Sequence, residues 1–522
     1  FFFQAEDGIR DCLLSRGLGD VYERQAPRPA GLKHLVRIGC CNHCLGRVGG
    51  KKRFGQSNYE SGVEIRASVV ETDSTMSEAR EVNPLCPLCE NLFEEAPLLA
   101  ELIKEAIGER ECSRLQIGAR IPKDQTEAED HLRKRFGAGG SAPLKSSLVE
   151  EVARQLNELG AGQNLVIDKP EILALIDVLT LTVELDIRSH YFYGRYRKLE
   201  RGIPQTKWPC RSCKGRGCER CDYTGLQYKS SVQGLIGDPL LELFGSKEHA
   251  FHGMGREDID VRCMGRGRPF VMEMKKPVKR DIDANVIMEA INSSANGSIE
   301  VSDIRPSNRS EIVRVKDTPA EKSYTIRYKI EAITESEFDS LTQVMDIPSN
   351  NQERNRRRKN HHRRKKPEPE PEPEIDYSAL KKSELVEMCV EKGLAKSGTK
   401  DVLIERLSSF KEPTLPLPDQ DYVMEIMTKL QGCTLAQRTP ERVAHRRADK
   451  IRKRKVLETS NPSVEIDEDG NMIAEFSLRC ESGTYVKETV HGDGGRTQPS
   501  IASLVKAKCT VEWLDVADIH AD

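Results

Sequence analysis

Apolar positions along the chain recur with two different periods, and the change of period marks the elements. SLVEEVARQLNEL (147–159) has the spacing of a helix with one buried face. NLVIDKP (164–170) and LTLTVELDIRSHYFYGRY (179–196) alternate apolar with polar residues, which predicts strands. From 226 to 346 the two patterns mix. QGLIGDPLLELF (233–244) predicts helix, whereas RPFVMEMKKP (268–277), EIVRVKD (311–317) and YTIRYKIEAITE (324–335) predict strands. Strands are again expected at MIAEFSLRCESGTYVKETV (472–490) and CTVEWLDVADI (509–519). Helices and strands interspersed in this way give an α+β chain.

The pattern breaks once, at NRRRKNHHRRKKPEPEPEPE (355–374), where dense positive charge gives way to a Pro-Glu repeat that cannot bury a core. With 522 residues the chain exceeds what one core serves. The expected division is an accessory domain over 29–225, a second domain in two parts (226–349 and 412–522), a disordered linker over 350–375 and a small helical module over 376–411. Residues 1–28, which open FFFQAEDGIRD, are read as a translated artefact or a disordered stretch.

Net charge is only −2, so any nucleic-acid binding must come from clustered cations. RYRKLER (195–201) and HRRADKIRKRK (445–455) lie within apparently folded sequence and are read as contacts to nucleic acid. RRRKNHHRRKK (356–366) lies in the linker and reads as a solvated charge run. There is no apolar run of the roughly 18 residues that span a bilayer, and no secretory leader is visible, so a cytoplasmic protein without membrane contact is expected.

Eight of the sixteen cysteines form four C-x-x-C pairs. In a cytosolic chain this favours thiolate-bound metal over disulfides. Cys41, Cys44, Cys86 and Cys89 form one candidate tetrahedral zinc set, and Cys210, Cys213, Cys218 and Cys221 a second, both closed and structural.

The segment GREDIDVR (255–262) places Asp258 between an Arg and an apolar strand. Together with Lys322-Ser323-Tyr324 and Gly483-Thr484-Tyr485-Val486-Lys487 it resembles, in order, three motifs of pseudouridine synthases. GRYRKLERGIPQTKWPC (194–210), QRTPERVAHRRAD (437–449) and GDGGRTQPS (492–500) narrow the resemblance to the archaeal tRNA pseudouridine-54/55 synthase family. It implies a zinc-binding, THUMP-like accessory domain and a catalytic domain with a central mixed, mainly antiparallel sheet. It also implies roles. Asp258 would be the catalytic carboxylate, Lys487 the cation beside it with Arg256 as a second, and Tyr324 the ring that stacks on the target base. Tyr485, Arg496, Arg446 and Arg447 would bind substrate, the arginines at phosphates.

The implied partner is folded tRNA, bound by a monomer that modifies uridine 54, uridine 55 or both. Isomerising uridine to pseudouridine needs no redox group, nucleotide or metal, so no catalytic cofactor is expected. It does need an ionised carboxylate beside C1′, which burial opposes and a neighbouring cation supports. LKKSEL (380–385), Gly393-Leu394 and GTKDVLIERL (398–407) resemble a SAP motif, which implies a further nucleic-acid contact. The alternative is a catalytically silent RNA-binding protein on the same scaffold. The joint presence of Asp258, Tyr324 and Lys487 argues against it.

Overall fold

The computed structural model describes residues 29–49, 53, 55–77, 84–136, 142–162, 164–342, 377–410, 413–445, 447–468 and 470–521. The stretch read as an artefact (1–28), the linker (350–375) and Arg446 therefore lie outside the described residues.

The N-terminal part builds one core around a three-stranded sheet. Strand β1 (Leu115–Arg120) runs parallel to β2 (Ile172–Asp177), and β2 antiparallel to β3 (Thr182–Ile187). Helix Leu144–Glu158 buries Leu144, Leu148, Val152 and Leu156, residues one turn apart that form a single stripe. Helix Ala96–Ile107 packs against it, with Leu99, Ala100 and Ile103 buried. The strand expected at 164–170 does not form. Only Leu165 bridges to β1, and Ile167 is 92% exposed. The real strand is β2, whose Ile172, Ala174 and Ile176 face the core.

The expected strand 179–196 likewise divides. Its first half is β3, and its second half, β4 (His190–Lys198), enters a different sheet. The accessory part therefore ends before 190 rather than at 225, because β4 pairs along most of its length with strands of the second domain.

That sheet has ten strands among the described residues. To β4 it adds β5 (Glu248–Gly253), β6 (Arg262–Lys275), β7 (Ile299–Ser307), β8 (Glu321–Glu331), β9 (Thr434–Arg438), β10 (Ile451–Ile466), β11 (Met472–Cys480), β12 (Thr497–Gln498) and β13 (Lys508–His520). Their order is β12-β9-β10-β11-β8-β13-β6-β4-β7, with β5 on β6, and only β13 and β6 run parallel. The mixed, mainly antiparallel sheet expected from the sequence is present.

β6 is buried on both faces: Phe270, Met272 and Met274 pack with Ile236, Phe244 and Ile291, while Val271 joins the core around β8. Two predicted strands take other forms. EIVRVKD is a helix (Arg309–Asp317), because the Asn308 side chain accepts from Ser310 N and Glu311 N and starts it. The run 472–490 is a strand only to Cys480 and ends as helix Val486–His491. The aromatic–glycine stretch before Gly255 forms strand β5, paired antiparallel with β6. The helix expected over 233–244 breaks in two at Asp238-Pro239, where proline cannot continue the ladder.

The two domains are joined by a polar clasp. Glu111 N donates to Val278 O at 2.8 Å, and the Glu111 carboxylate accepts from Asp281 N at 2.9 Å and from Arg280 N. The Arg280 guanidinium in turn donates to Arg188 O.

Residues 335–413 form an insertion whose ends meet, since Thr334 bridges Thr414 and Leu415 N donates to Ile333 O at 2.7 Å. Within it, helices Lys382–Glu391 and Lys400–Ser408 enclose a separate core of Leu385, Cys389, Leu403 and Leu407. With four buried residues this module has no reserve. Leu403→Ala, at a cost of about 2–5 kcal/mol, is expected to unfold it alone. Amide exchange of 382–408 would become fast while the ten-stranded sheet stays protected, and retained protection in the helical pair would show a larger supporting core.

Candidate active site

The loop between β5 and β6 carries Asp258, and a buried polar network fixes its path. Glu257 is sealed beneath it, ion-paired to Arg268 at 2.8 Å. Tyr196 donates to Glu257 at 2.8 Å, and Gln205 Nε2 donates to the Tyr196 oxygen at 2.9 Å and to Gly255 O at 3.1 Å. Arg268 Nη1 also donates to Met254 O at 2.7 Å. Gly255 has φ +72°, and a Cβ there would stand 3.3 Å from Lys322 Nζ and 3.4 Å from Arg268 Nη1, so the turn needs glycine.

From below, the buried ammonium of Lys198 donates to Ile203 O (2.8 Å), Ile259 O (2.9 Å) and Asp258 O (3.3 Å). Burial lowers the pKa of this lysine. Its three protons hold the backbone of the residue that presents the carboxylate.

The Asp258 side chain, 44% exposed, meets a cation the sequence reading did not single out. Arg442 Nη1 lies 3.0 Å from Asp258 Oδ2. Arg442 is itself anchored by Glu488, 1% exposed, at 2.6 Å. Burial would lower the Arg442 pKa, but Glu488 and then Asp258 reverse this and leave it raised. Lys487, expected beside Asp258, pairs instead with Asp260 at 2.6 Å. The reason is local: GTY forms a turn and Val486 starts a helix, so successive side chains diverge and Glu488, not Lys487, lies beneath Arg442. Lys487 therefore meets the loop of Asp258 two residues further on, at Asp260.

Gln437, fully buried on β9, locks this corner: its side chain accepts from Tyr485 N and donates to Tyr485 O, both at 2.9 Å.

The other expected residues divide between surface and scaffold. Arg447 donates to the Tyr485 hydroxyl at 3.0 Å and lies 6.0 Å from its ring centroid, so these two form one exposed edge. Arg496 is half-buried and occupied, donating to Thr439 O at 2.6 Å beside Asp449 and Asp493. It shapes the 439–449 loop rather than offering a free cation. Arg256 is exposed, and its guanidinium lies over the Trp208 ring at 5.3 Å.

On β8, Lys322 and Tyr324 share the face that continues as the buried Ile326, Tyr328 and Ile330. Tyr324 is half-buried at the end of that core, and burial raises its hydroxyl pKa. Burial and then Arg268 lower the Lys322 ammonium to about 8.

The two basic runs also part company. The cations of 195–201 are spent inside the fold. Arg195 donates to Gly267 O and Ala521 O, Arg197 pairs with Glu300, Lys198 holds the loop, and Arg201 pairs with Asp515. The run thus offers no cation without a protein partner among the described residues, because 195–198 lie on β4, an interior strand. In 445–455, by contrast, Arg447, Lys450, Lys453 and Lys455 are exposed beside the site.

Both cysteine sets converge, each with its ligand atoms within 4.8 Å of one another. Sulfur separations of 3.6 Å (Cys41–Cys89), 3.7 Å (Cys218–Cys221) and 3.8 Å (Cys213–Cys221) fit thiolates around one tetrahedral ion. Such an ion with bonds of about 2.3 Å spaces its sulfurs about 3.8 Å apart. Arg47 Nη2, 3.5 Å from Cys44 Sγ, offsets thiolate charge in the first set.

The chain is similar to known proteins over almost its whole length. Residues 191–370 and 415–520 match the family model "Pus10, C-terminal", residues 99–177 match "Pus10 THUMP domain, archaeal", and residues 376–411 match "SAP domain". A tRNA pseudouridine synthase Pus10 of Methanothrix thermoacetophila is 33% identical, with 93% of each chain covered. A protein of the same description from Methanothermobacter marburgensis is 32% identical over 92% of this chain and 94% of its own. Another from Methanocaldococcus jannaschii is 31% identical over 89% and 82%.

Lys322 yields a pH signature. Its ordinary value is 10.5 and its folded value about 8, so over that window the unfolded chain binds more protons. The penalty of the buried charge is present below about 8 and fades as pH rises toward 10.5. Relative to Lys322→Met, the wild type should gain stability across that window, read as converging urea midpoints. Parallel midpoint curves would mean that Lys322 titrates as an exposed lysine.

Proposed function

The chain belongs to the Pus10 family of tRNA pseudouridine synthases, and from that membership we propose that it isomerises uridine to pseudouridine in the T arm of tRNA, at position 54, 55 or both, with Asp258 as the catalytic carboxylate. The observation that carries the assignment of Asp258 is its setting. It is a half-exposed carboxylate on a loop immobilised from below, held by an arginine that a buried glutamate orients. Its remaining exposure leaves an oxygen free to meet a nucleoside.

In the reaction the N1–C1′ bond breaks, the base turns, and C5 joins C1′. The C5 proton leaves to solvent and N1 takes one up, so atoms balance without a second substrate. Asp258 acts beside C1′ as nucleophile or base. Arg442 takes the supporting role foreseen for Lys487, favouring the ionised carboxylate and fixing its direction. Lys487, through Asp260, holds the far end of the same loop.

The target base must leave its stack at a cost of a few kcal/mol. Tyr324 offsets part of this by stacking, worth roughly 1–3 kcal/mol. Lys450, Lys453, Lys455 and Arg447 are exposed and would hold backbone phosphates. The THUMP and SAP regions bind RNA away from the reacting base, and the two cysteine sets hold structural zinc. No described helix is long and apolar enough to cross a membrane, and tRNA as substrate favours the cytoplasm.

The test uses tRNA transcripts labelled with tritium at uridine C5. Wild type should release label and Asp258→Asn none; release by the mutant would move the role to another group. Arg442→Met should lower kcat by about 10²-fold, the scale of misplacing a reacting group, with partial recovery in Arg442→Lys. A change of less than about twofold would remove Arg442 from the mechanism.

A further inference from the structure

Arg256 stands two residues before Asp258, and its guanidinium covers the indole of Trp208, with Cζ 5.3 Å from the ring centroid. Among the described residues it has no carboxylate within salt-bridge distance. Trp208 is one of only two tryptophans in the chain, and the second cysteine set fixes it. Gln227 N donates to Trp208 O at 2.8 Å, Pro209 bridges Leu226, and Cys210 N donates to Gly225 O at 2.7 Å. The stem that carries the cysteines therefore also carries the indole. Tyr228 returns along the same stem and meets Trp208 edge-on, centroids 5.6 Å apart at 78°.

Beside this pair opens a cavity of about 200 Å³, lined by both rings and also by Lys207, Lys229, Leu235 and Asp238. Asp238 is neutralised by Lys207 at 2.6 Å and faces His249 at 2.8 Å, whereas the exposed Lys229 has no such partner among the described residues. Two half-exposed aromatic rings, with Lys229 on the cavity wall and the exposed Arg256 on the indole, neither held by a carboxylate among the described residues, are the combination that holds single-stranded nucleic acid, rings for bases and cations for phosphates. A duplex offers no base face to such a cleft; an unpaired nucleotide does.

We propose that the cavity walled by Trp208 and Tyr228 receives one unpaired base of the substrate RNA, a neighbour of the target uridine, with Arg256 and Lys229 on its flanking phosphates. This rests on the reading of the chain as an RNA-modifying enzyme and adds a second base-binding point to it. The catalytic loop and the cysteine stem then grip adjacent nucleotides, and Arg256 is the element common to both. The stem acts as a wall of the substrate site as well as a metal-bound knuckle.

Trp208 supplies its own reporter. In Trp513→Phe/Asp258→Asn it is the sole tryptophan, and tRNA transcript should quench its emission saturably, with the midpoint given by filter binding. A fully paired RNA duplex should leave it unchanged. In the active protein, Trp208→Ala and Tyr228→Ala should each raise KM for tRNA about 5- to 150-fold, the equivalent of one lost stack, more than they lower kcat. Trp208→Phe should recover most of the loss. Unchanged metal content and circular dichroism would separate lost stacking from a misfolded stem, and Tyr228→Ala carries the KM test alone if Trp208→Ala fails to fold.

tRNA that binds without moving Trp208 emission, or an unchanged KM in both variants, overturns the proposal. If wild type releases no tritium while tRNA still quenches Trp208, the catalytic reading falls and the base cavity stands. Release without quenching sinks the cavity alone.

Discussion

A carboxylate and a guanidinium sealed inside the sheet, Glu257 and Arg268, determine where Asp258 can stand. Two acidic residues adjacent in sequence meet opposite environments. Glu257 turns inward and is consumed by Arg268, Tyr196 and Gln205, which commits the next side chain to the outer side of the loop. A buried ion pair of this kind is weak evidence for stability, because desolvation offsets its attraction. Its value here is directional: with Arg268, Tyr196 and Gln205 all converging on the Glu257 carboxylate, the loop is held to one path. Lys198 extends the same constraint to the backbone, since an ammonium with three carbonyl partners tolerates little displacement of any of them.

Much of this was legible in the sequence, in the segments where local pattern and tertiary outcome coincide. Leu148, Val152 and Leu156 announced a helix because helical period and burial agree. The cysteine sets were readable because ligand spacing constrains geometry directly. EIVRVKD was misread because alternating β-branched residues mimic a strand, while the decisive signal was the single cap at Asn308. ILALID is hard to read as a strand because five of its six residues are apolar and the following VLTLTV continues the run, so no alternation marks its face.

At the site, a motif in the sequence points to Asp258, but no motif points to the arginine that pairs with it. Arg442 comes from 184 residues away, carried there by the β9–β10 hairpin, and nothing in local spacing separates it from the arginines around it. Lys487 was nearly right; the turn before Val486 shifts the pairing by one carboxylate, to Asp260. The run 195–201 carries the opposite lesson. Density of positive charge does not reveal whether it faces water or carbonyls, and there it faces carbonyls and carboxylates.

The clasp between the two domains has a consequence of scale. Glu111 receives consecutive amides of the chain leaving β6, and the Arg280 side chain reaches back to the carbonyl that precedes β4. A joint closed from both directions resists both swing and twist, so the accessory domain and the Asp258 loop keep a set separation, like the jaws of a locked caliper. A ligand that touched both would have to match that separation in length.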